Sequence, residues 1–343
     1  MAERDVGRAL VEFLRELLGA PALDLAEPLT PLGGGFDTSI YTVQLRDAPA
    51  VVAGPLVLRV MAPHHDPARA LRERAIQNTV AAQGYPAPRV LAVTTDVGPL
   101  GAPFLLMERL PGVALADAGR LGMGSALAEA QLRLHALKAA PLLAALDQET
   151  GSGGPATVQL DAYLGALESR IVRAGLEGLA PVMGWLRRYR PSPGPPVICH
   201  GDFHPRNLLV ADGRLSGVVD WPNTLVAEAE LDVAATLNIL RHVPLDLASL
   251  PSGIRTLARF ARPLLVSRYL AGYRRRRRLD PQRLAYYEVA TAMRALVQTG
   301  EARLGRGRAP GALETSEYSV RLAARAQQLT GIAAALPTAR SEP

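Results

Sequence analysis

The stretch HGDFHPRNLLVADGRLSGVVDWPN, His200 to Asn223, sets the carboxylates of Asp202 and Asp220 and the amide of Asn207 around two short apolar runs. Asp212-Gly213 between those runs predicts a two-residue hairpin turn, because such turns need positive φ and glycine adopts it without a steric penalty. A hairpin that carries Asp202 and Asn207 at one end and Asp220 at the other can converge three oxygen-bearing side chains on one point. Hard oxygen donors suit Mg²⁺, which keeps several waters and takes one or two protein ligands beside phosphate oxygens. One carboxylate then remains to accept a proton from an attacking hydroxyl.

Upstream of this stretch the pattern is that of a small sheet with one long helix. Val6, Leu10, Phe13, Leu14 and Leu17 share a helical face that ends at Gly19 and Pro21. IYTVQL and PLVLRVM then read as strands, with the glycine-rich LGGGFD just before the first, and PFLLMERLPG reads as a buried strand entering a turn. Between them, Asp66 and Pro67 cap and start a helix that runs to about Gln83. From Gly124 the pattern turns helical, and after the interruption by the quoted stretch it stays helical from about Glu230 toward residue 330. Gly300 to Gly311, rich in Gly, Arg and Pro, reads as an exposed loop.

A chain of 343 residues with 48% hydrophobic composition can build more than one core, so two domains are expected, 1–108 and 109–343. Cys199 is the only cysteine, which rules out an intramolecular disulfide and a four-cysteine zinc site. The opening residues mix both charge signs, and no segment offers about 18 uninterrupted apolar residues, so a cytoplasmic protein with no membrane partner is expected. The net charge of +6 is carried almost wholly by arginine, Lys138 being the only lysine. The run Arg274 to Arg278 lies at the end of a helical pattern and lacks interleaved aromatic residues, so it reads as a solvated helix end rather than a nucleic-acid site.

HGDFHPRN with VVDW resembles the catalytic loop and metal-binding aspartate of the aminoglycoside phosphotransferase family, which has a protein-kinase-like fold. LGGGFDTSIYTV is similar to the family's nucleotide loop, LVLRV to its phosphate-pairing strand, ALRERAIQ to its helix with the paired glutamate, FLLMERLPG to its hinge, and ELDVA to its aspartate after the metal site. The resemblance implies an α+β, bilobal protein-kinase-like fold with a small β-sheet N-lobe and a mostly helical C-lobe. It further implies a kinase that moves the γ-phosphate of ATP or GTP to a hydroxyl of a small molecule, with Asp202 as catalytic base or hydroxyl-orienting group and Asn207 and Asp220 holding Mg²⁺. Nucleotide contacts would come from Gly33, Gly34, Gly35, Thr38, Ser39, Arg59, Glu73, Met107, Glu108, Leu110 and Leu209. Arg59 stands where kinases carry a lysine, and its planar fork changes the phosphate geometry. Leu58 and Leu209 fit either a nucleotide wall or an apolar core.

Further roles divide between chemistry and support. His200 reads as a structural histidine and Asp232 as a support for the loop backbone, His135 as a packed helix residue, and His204 and Arg206 stay open between phosphate and solvent. A phosphotransferase-like binding or regulatory protein without turnover is the alternative, against which the intact Asp202, Asn207 and Asp220 set counts. Beyond Val233 the chain has eighteen arginines and seven acids, a balance that favours a neutral, weakly charged or anionic alcohol over a polycation. Glu228, Glu230 and Asp232 are the acids left near a pocket, and Tyr286 and Tyr287 the aromatics available to a quaternary ammonium.

Overall fold

The computed structural model describes residues 3–32, 38–62, 66, 68–95, 99–118, 122–243, 252–306 and 316–338. The glycines Gly33, Gly34 and Gly35, and Pro67, lie outside the described residues. The chain is α+β and divides into two compact units. The first comprises Met1–Val113, Ala140–Pro155 and Leu209–Pro222; the second comprises Ala114–Ala139, Ala156–Leu208 and Asn223–Pro343.

In the first unit, helix α1 (Glu3–Leu18) turns Leu10 and Leu14 into a core shared with Leu23, Leu56, Leu58, Phe104 and Leu106. Phe13 meets Phe104 edge to face at 5.1 Å. Strands β1 (Thr30–Pro31), β2 (Thr38–Val43), β3 (Leu56–Met61), β4 (Val90–Thr94) and β5 (Phe104–Glu108) form one antiparallel sheet in the order β1-β2-β3-β5-β4. Arg59 lies opposite Ile40 on one side and Leu105 on the other. Because successive side chains alternate across a strand, Leu58 belongs to the core that it shares with α1, the packing reading of that residue. Helix α2 (Ala68–Ala82) starts on the expected Asp66, whose carboxylate accepts the Ala68 N–H at 3.0 Å.

Later elements are α3 (Met123–His135), α4 (Ala139–Thr150), α5 (Leu160–Ala174) and α6 (Ala180–Arg188). Strands β6 (Pro196–Cys199), β7 (Leu208–Ala211), β8 (Arg214–Val218) and β9 (Leu225–Glu228) come next. Helices α7 (Ala229–His242), α8 (Ser252–Arg274), α9 (Pro281–Arg303) and α10 (Ser316–Thr330) end the chain. The turn between β7 and β8 is the one expected from Asp-Gly, with φ of 48° at Asp212 and 75° at Gly213.

One expectation fails: the loop does not begin at Gly300, since α9 continues through Gly300, Glu301 and Ala302 to Arg303. Gly300 is buried against the Leu176 side chain. The Leu176 methyls close onto the bare backbone there, and this tertiary packing outweighs the weak helix propensity of glycine. Residues 307–311 of the expected loop lie outside the described residues.

Candidate active site

The loop from His200 to Asn207 leaves β6 with its backbone fixed from below. Gly201 has φ of 77°, and a side chain there would overlap the Asn223 carbonyl, so the turn requires glycine. Its N–H donates to Asp232 Oδ1 at 2.7 Å, the support expected of Asp232. One turn further along α7, Thr236 Oγ1 donates to the Phe203 carbonyl at 2.8 Å. The loop is thereby fastened to one helix at two points. His200, as expected, is fully buried, with its ring edge to face against Phe203 at 5.7 Å.

Behind α7 stands a polar network that local sequence patterns did not reveal. Asp232 Oδ2 accepts from Gln131 Nε2 at 2.9 Å and pairs with His135 Nε2 at 3.0 Å. His135 Nδ1 lies 2.6 Å from the Tyr273 hydroxyl, and the Tyr269 hydroxyl donates to Gln131 Oε1. Burial alone would push the Asp232 carboxyl up, but the His135 bond, the His135 and His200 charges and the Gln131 bond hold it below the usual carboxylate range. An ionised Asp232 accepts only, so His135 Nε2 donates toward it. Burial raises the Tyr273 phenol, which keeps it protonated.

Asp202 itself is 23% exposed, with Oδ1 3.6 Å from Arg294 Nη2 and Oδ2 3.7 Å from His204 Nε2. Burial works against its charge, yet the adjacent His204 ring and the Arg294 and His200 charges bring its pKa down to about 2. It is ionised throughout the neutral range. Asn207 Nδ2 donates to the Asp202 carbonyl at 3.0 Å, which leaves Oδ1 as its atom for a cation. Arg206 is exposed.

The second group lies in the first unit. Arg59 Nη1 donates to Glu73 Oε2 at 2.9 Å, and Arg59 Nη2 sits 3.5 Å from Asp220 Oδ1. Glu73 is 1% exposed; burial pushes its carboxyl up against the pull of Arg59 and Arg69. Asp220 has φ of 69°, a left-handed conformation that costs a non-glycine residue energy and is held in place by the anchored Trp221 beside it. Trp221 is buried, donates its indole N–H to the Val218 carbonyl at 2.9 Å and meets Tyr85 edge to face. Asp220 keeps a well-exposed carboxylate, at 43%.

Other expected nucleotide residues also fall in this unit. Thr38 and Ser39 begin β2, Ser39 being exposed. Met107 is buried in β5, and Glu108 is tied to Arg89 by its backbone N–H at 3.0 Å and by its carboxylate at 3.1 Å. Leu110 and Leu209 meet over Gly217. The expected residues therefore form two groups, Asp202 with Asn207 in one compact unit and Arg59, Glu73 and Asp220 in the other.

The sequence model of the phosphotransferase enzyme family matches residues 28–287. The chain belongs to that family. As a family member it is a phosphotransferase with an alcohol group as acceptor, in line with the resemblance to aminoglycoside phosphotransferases. It is 29% identical over 218 residues to the aminoglycoside 3'-phosphotransferase of Streptomyces fradiae, covering 60% of this chain and 72% of that one. It is 25% identical over 238 residues to mouse acyl-CoA dehydrogenase family member 10, covering 66% of this chain but spanning only 21% of the mouse protein. Among solved structures it is similar in fold to an aminoglycoside phosphotransferase-like protein from Ralstonia eutropha (TM-score 0.59, 16% identity, 94% of this chain and 98% of that one). Aminoglycoside phosphotransferase APH(4)-Ia, solved with ADP and hygromycin B, shares the fold at TM-score 0.53 and 16% identity, over 94% of this chain and 98% of that one.

Within this family member, the acids that the sequence left near a pocket prove to be committed. Glu228 accepts the Gly194 N–H at 2.7 Å and the Tyr287 hydroxyl, Glu230 accepts the Asp280 N–H at 2.9 Å, and Asp232 holds the loop. Tyr286 and Tyr287 are buried, Tyr286 donating to the Leu186 carbonyl at 2.9 Å, so neither is placed to cage a cation. Among the described residues no helix is long and apolar enough to cross a membrane. Arg294 was not anticipated: it sits in α9 between Met293 and Ala295, both buried, and no motif in the sequence marks it.

Proposed function

We propose that the chain transfers the γ-phosphoryl group of ATP or GTP to a hydroxyl of a small molecule, with Asp202 as the group that orients the hydroxyl and takes its proton. The observation that carries this is the pairing of an ionised, accessible Asp202 with a loop fastened at Gly201 and Phe203. A carboxylate with so low a pKa is a weak base but a persistent hydrogen-bond acceptor. That suits a loose transition state, in which the acceptor oxygen needs alignment before it needs to lose its proton. The acceptor oxygen forms a bond to the γ-phosphorus, the bond to the bridging oxygen breaks to release the nucleoside diphosphate, and the proton passes to Asp202 and on to solvent.

Asn207 and Asp220 are the proposed Mg²⁺ ligands. Their donor set fits: one amide oxygen left over by the Nδ2 bond, and one exposed carboxylate oriented by Arg59. Among the described residues no group of three or more His, Cys, Asp and Glu could hold a metal, and Mg²⁺ bound with phosphate needs only one or two protein ligands. When bound, the ion would neutralise charge on the phosphate oxygens. Arg59, held by Glu73, is the proposed contact to the nucleotide phosphates, with Gly33, Gly34, Gly35, Thr38 and Ser39 as further phosphate contacts. Met107, Glu108, Leu110 and Leu209 are proposed to border the base.

Because the similar Streptomyces fradiae protein is an aminoglycoside 3'-phosphotransferase, aminoglycosides belong among the acceptors to examine. Calorimetry with ATP and GTP, with and without Mg²⁺, tests the reading. We expect Mg²⁺-dependent binding that Asp220→Ala removes; a folded wild type that binds neither nucleotide refutes it.

A further inference from the structure

Arg294 faces the oxygen on which the proposed chemistry depends. A hydroxyl that gives its proton to Asp202 must come within about 2.8 Å of one carboxylate oxygen. Those oxygens stand 3.6 Å from Arg294 Nη2 and 3.7 Å from His204 Nε2. A hydroxyl oxygen that bonds Oδ1 is therefore no more than about 6.4 Å from the guanidinium, so a charged group on the neighbouring carbon can turn toward Arg294 at a distance over which charge is felt at a partly shielded site. Arg294 is 25% exposed, so its head meets both Asp202 and solvent.

A polycation needs the opposite surroundings. Glu288 is bound by Arg241 at 2.9 Å and Arg325 at 2.6 Å, and Glu301 by Arg170 at 2.6 Å. With Glu228, Glu230 and Asp232 committed as well, the acids of α7 and α9 are neutralised or hydrogen-bonded within the protein. An ammonium beside the reacting hydroxyl would meet Arg294 and find none of these carboxylates at liberty.

We propose that the acceptor is an alcohol that carries an anionic oxyacid group, a carboxylate or a phosphate, on a carbon near the reacting hydroxyl, and that Arg294 is the residue that selects it. The proposal rests on the kinase reading above. Its basis is the Asp202–Arg294 juxtaposition together with the commitment of the surrounding acids.

The test uses the full-length chain with MgATP and follows ADP release with four probes: glycerate, glycerol 3-phosphate, glycerol and kanamycin. One of the two anionic probes should exceed glycerol in kcat/KM by at least about tenfold, with kanamycin lowest. Which of the two leads tells carboxylate from phosphate. In Arg294→Gln the preference should fall to less than about twofold with MgATP binding intact, while Arg294→Lys keeps most of it. If Arg294→Gln fails to fold, the wild-type ranking and Arg294→Lys decide. A wild type that binds MgATP but prefers glycerol or kanamycin, or uses none of the four, overturns the proposal, as does an anion preference that survives in Arg294→Gln. Loss of MgATP binding in the wild type would instead reject the kinase reading itself.

Discussion

Two arginine–carboxylate clusters stand in the two compact units, and their polarity is opposite. In the first, the Arg59 guanidinium bridges two acids, exposed Asp220 and buried Glu73, which Arg69 also meets at 3.5 Å. In the second, a single carboxylate, Asp202, is flanked by two bases, Arg294 and His204. The first arrangement leaves an oriented anionic oxygen, which suits a cation. The second leaves an ionised acceptor in a basic setting, which suits a hydroxyl on a molecule that is not itself cationic. The same residue types thus serve different ends according to which partner is buried.

The largest effect should come from the second cluster's centre. Asp202→Asn keeps the shape and removes the charge, and kcat should fall roughly 10³-fold while MgATP affinity stays near wild type. A fall of less than tenfold would mean that Asp202 neither orients nor deprotonates the acceptor. The matching change in the first cluster acts on stability. Arg59→Ala leaves Glu73 buried without its main partner and should cost about 3 kcal/mol, whereas Arg294→Ala beside a partly exposed Asp202 should cost under about 1 kcal/mol. Urea unfolding of the two variants measures the contrast directly. Equal losses would show that the two arginines are structural to the same degree.

These two clusters were not equally legible. Asp202, Asn207 and Asp220 lie in one continuous stretch whose local pattern singles them out, and Arg59 and Glu73, on a strand and the next helix, were singled out by the resemblance of their short motifs to the family. Arg294, Gln131, Tyr269 and Tyr273 reach the loop only because α3, α8 and α9 pack around it; no spacing in the sequence links them to Asp202 or Asp232. Gly300 misled for a related reason, since a glycine that admits Leu176 looks the same in sequence as a glycine that ends a helix. The sheet and most helices were readable from apolar periodicity, which reports a buried face. Polar networks carry no such period.

A smaller effect separates the loop from its support. Gln131→Leu and His135→Leu each remove a donor from buried Asp232 and should cost about 2 kcal/mol, with kcat reduced several-fold and KM for MgATP little changed. The sign with pH comes from the depressed Asp232 carboxyl. Its stabilisation is present above the ordinary carboxylate pKa near 4 and is lost as pH falls through the lower folded value. The His135 variant should therefore begin acid unfolding at higher pH than wild type. An unchanged acid midpoint would remove His135 from the set that keeps Asp232 ionised.

The smallest effect is expected at Arg274 to Arg278, which tests whether basic charge outside both clusters has any part in binding. Arg274 ends α8, and the Arg276 and Arg277 N–H groups close onto the Tyr273 carbonyl at 3.1 Å each, so the run begins as a helix terminus where positive charge opposes the negative end of the dipole. Arg274, Arg275, Arg276 and Arg278 are exposed. Replacing Arg274, Arg275 and Arg276 with serine should change kcat/KM by less than about twofold and stability by less than about 1 kcal/mol. Wild type and variant should also bind a single-stranded oligonucleotide equally weakly. A steep salt dependence of oligonucleotide affinity in the wild type, lost in the variant, would instead make this run a third charged site with a function separate from phosphoryl transfer.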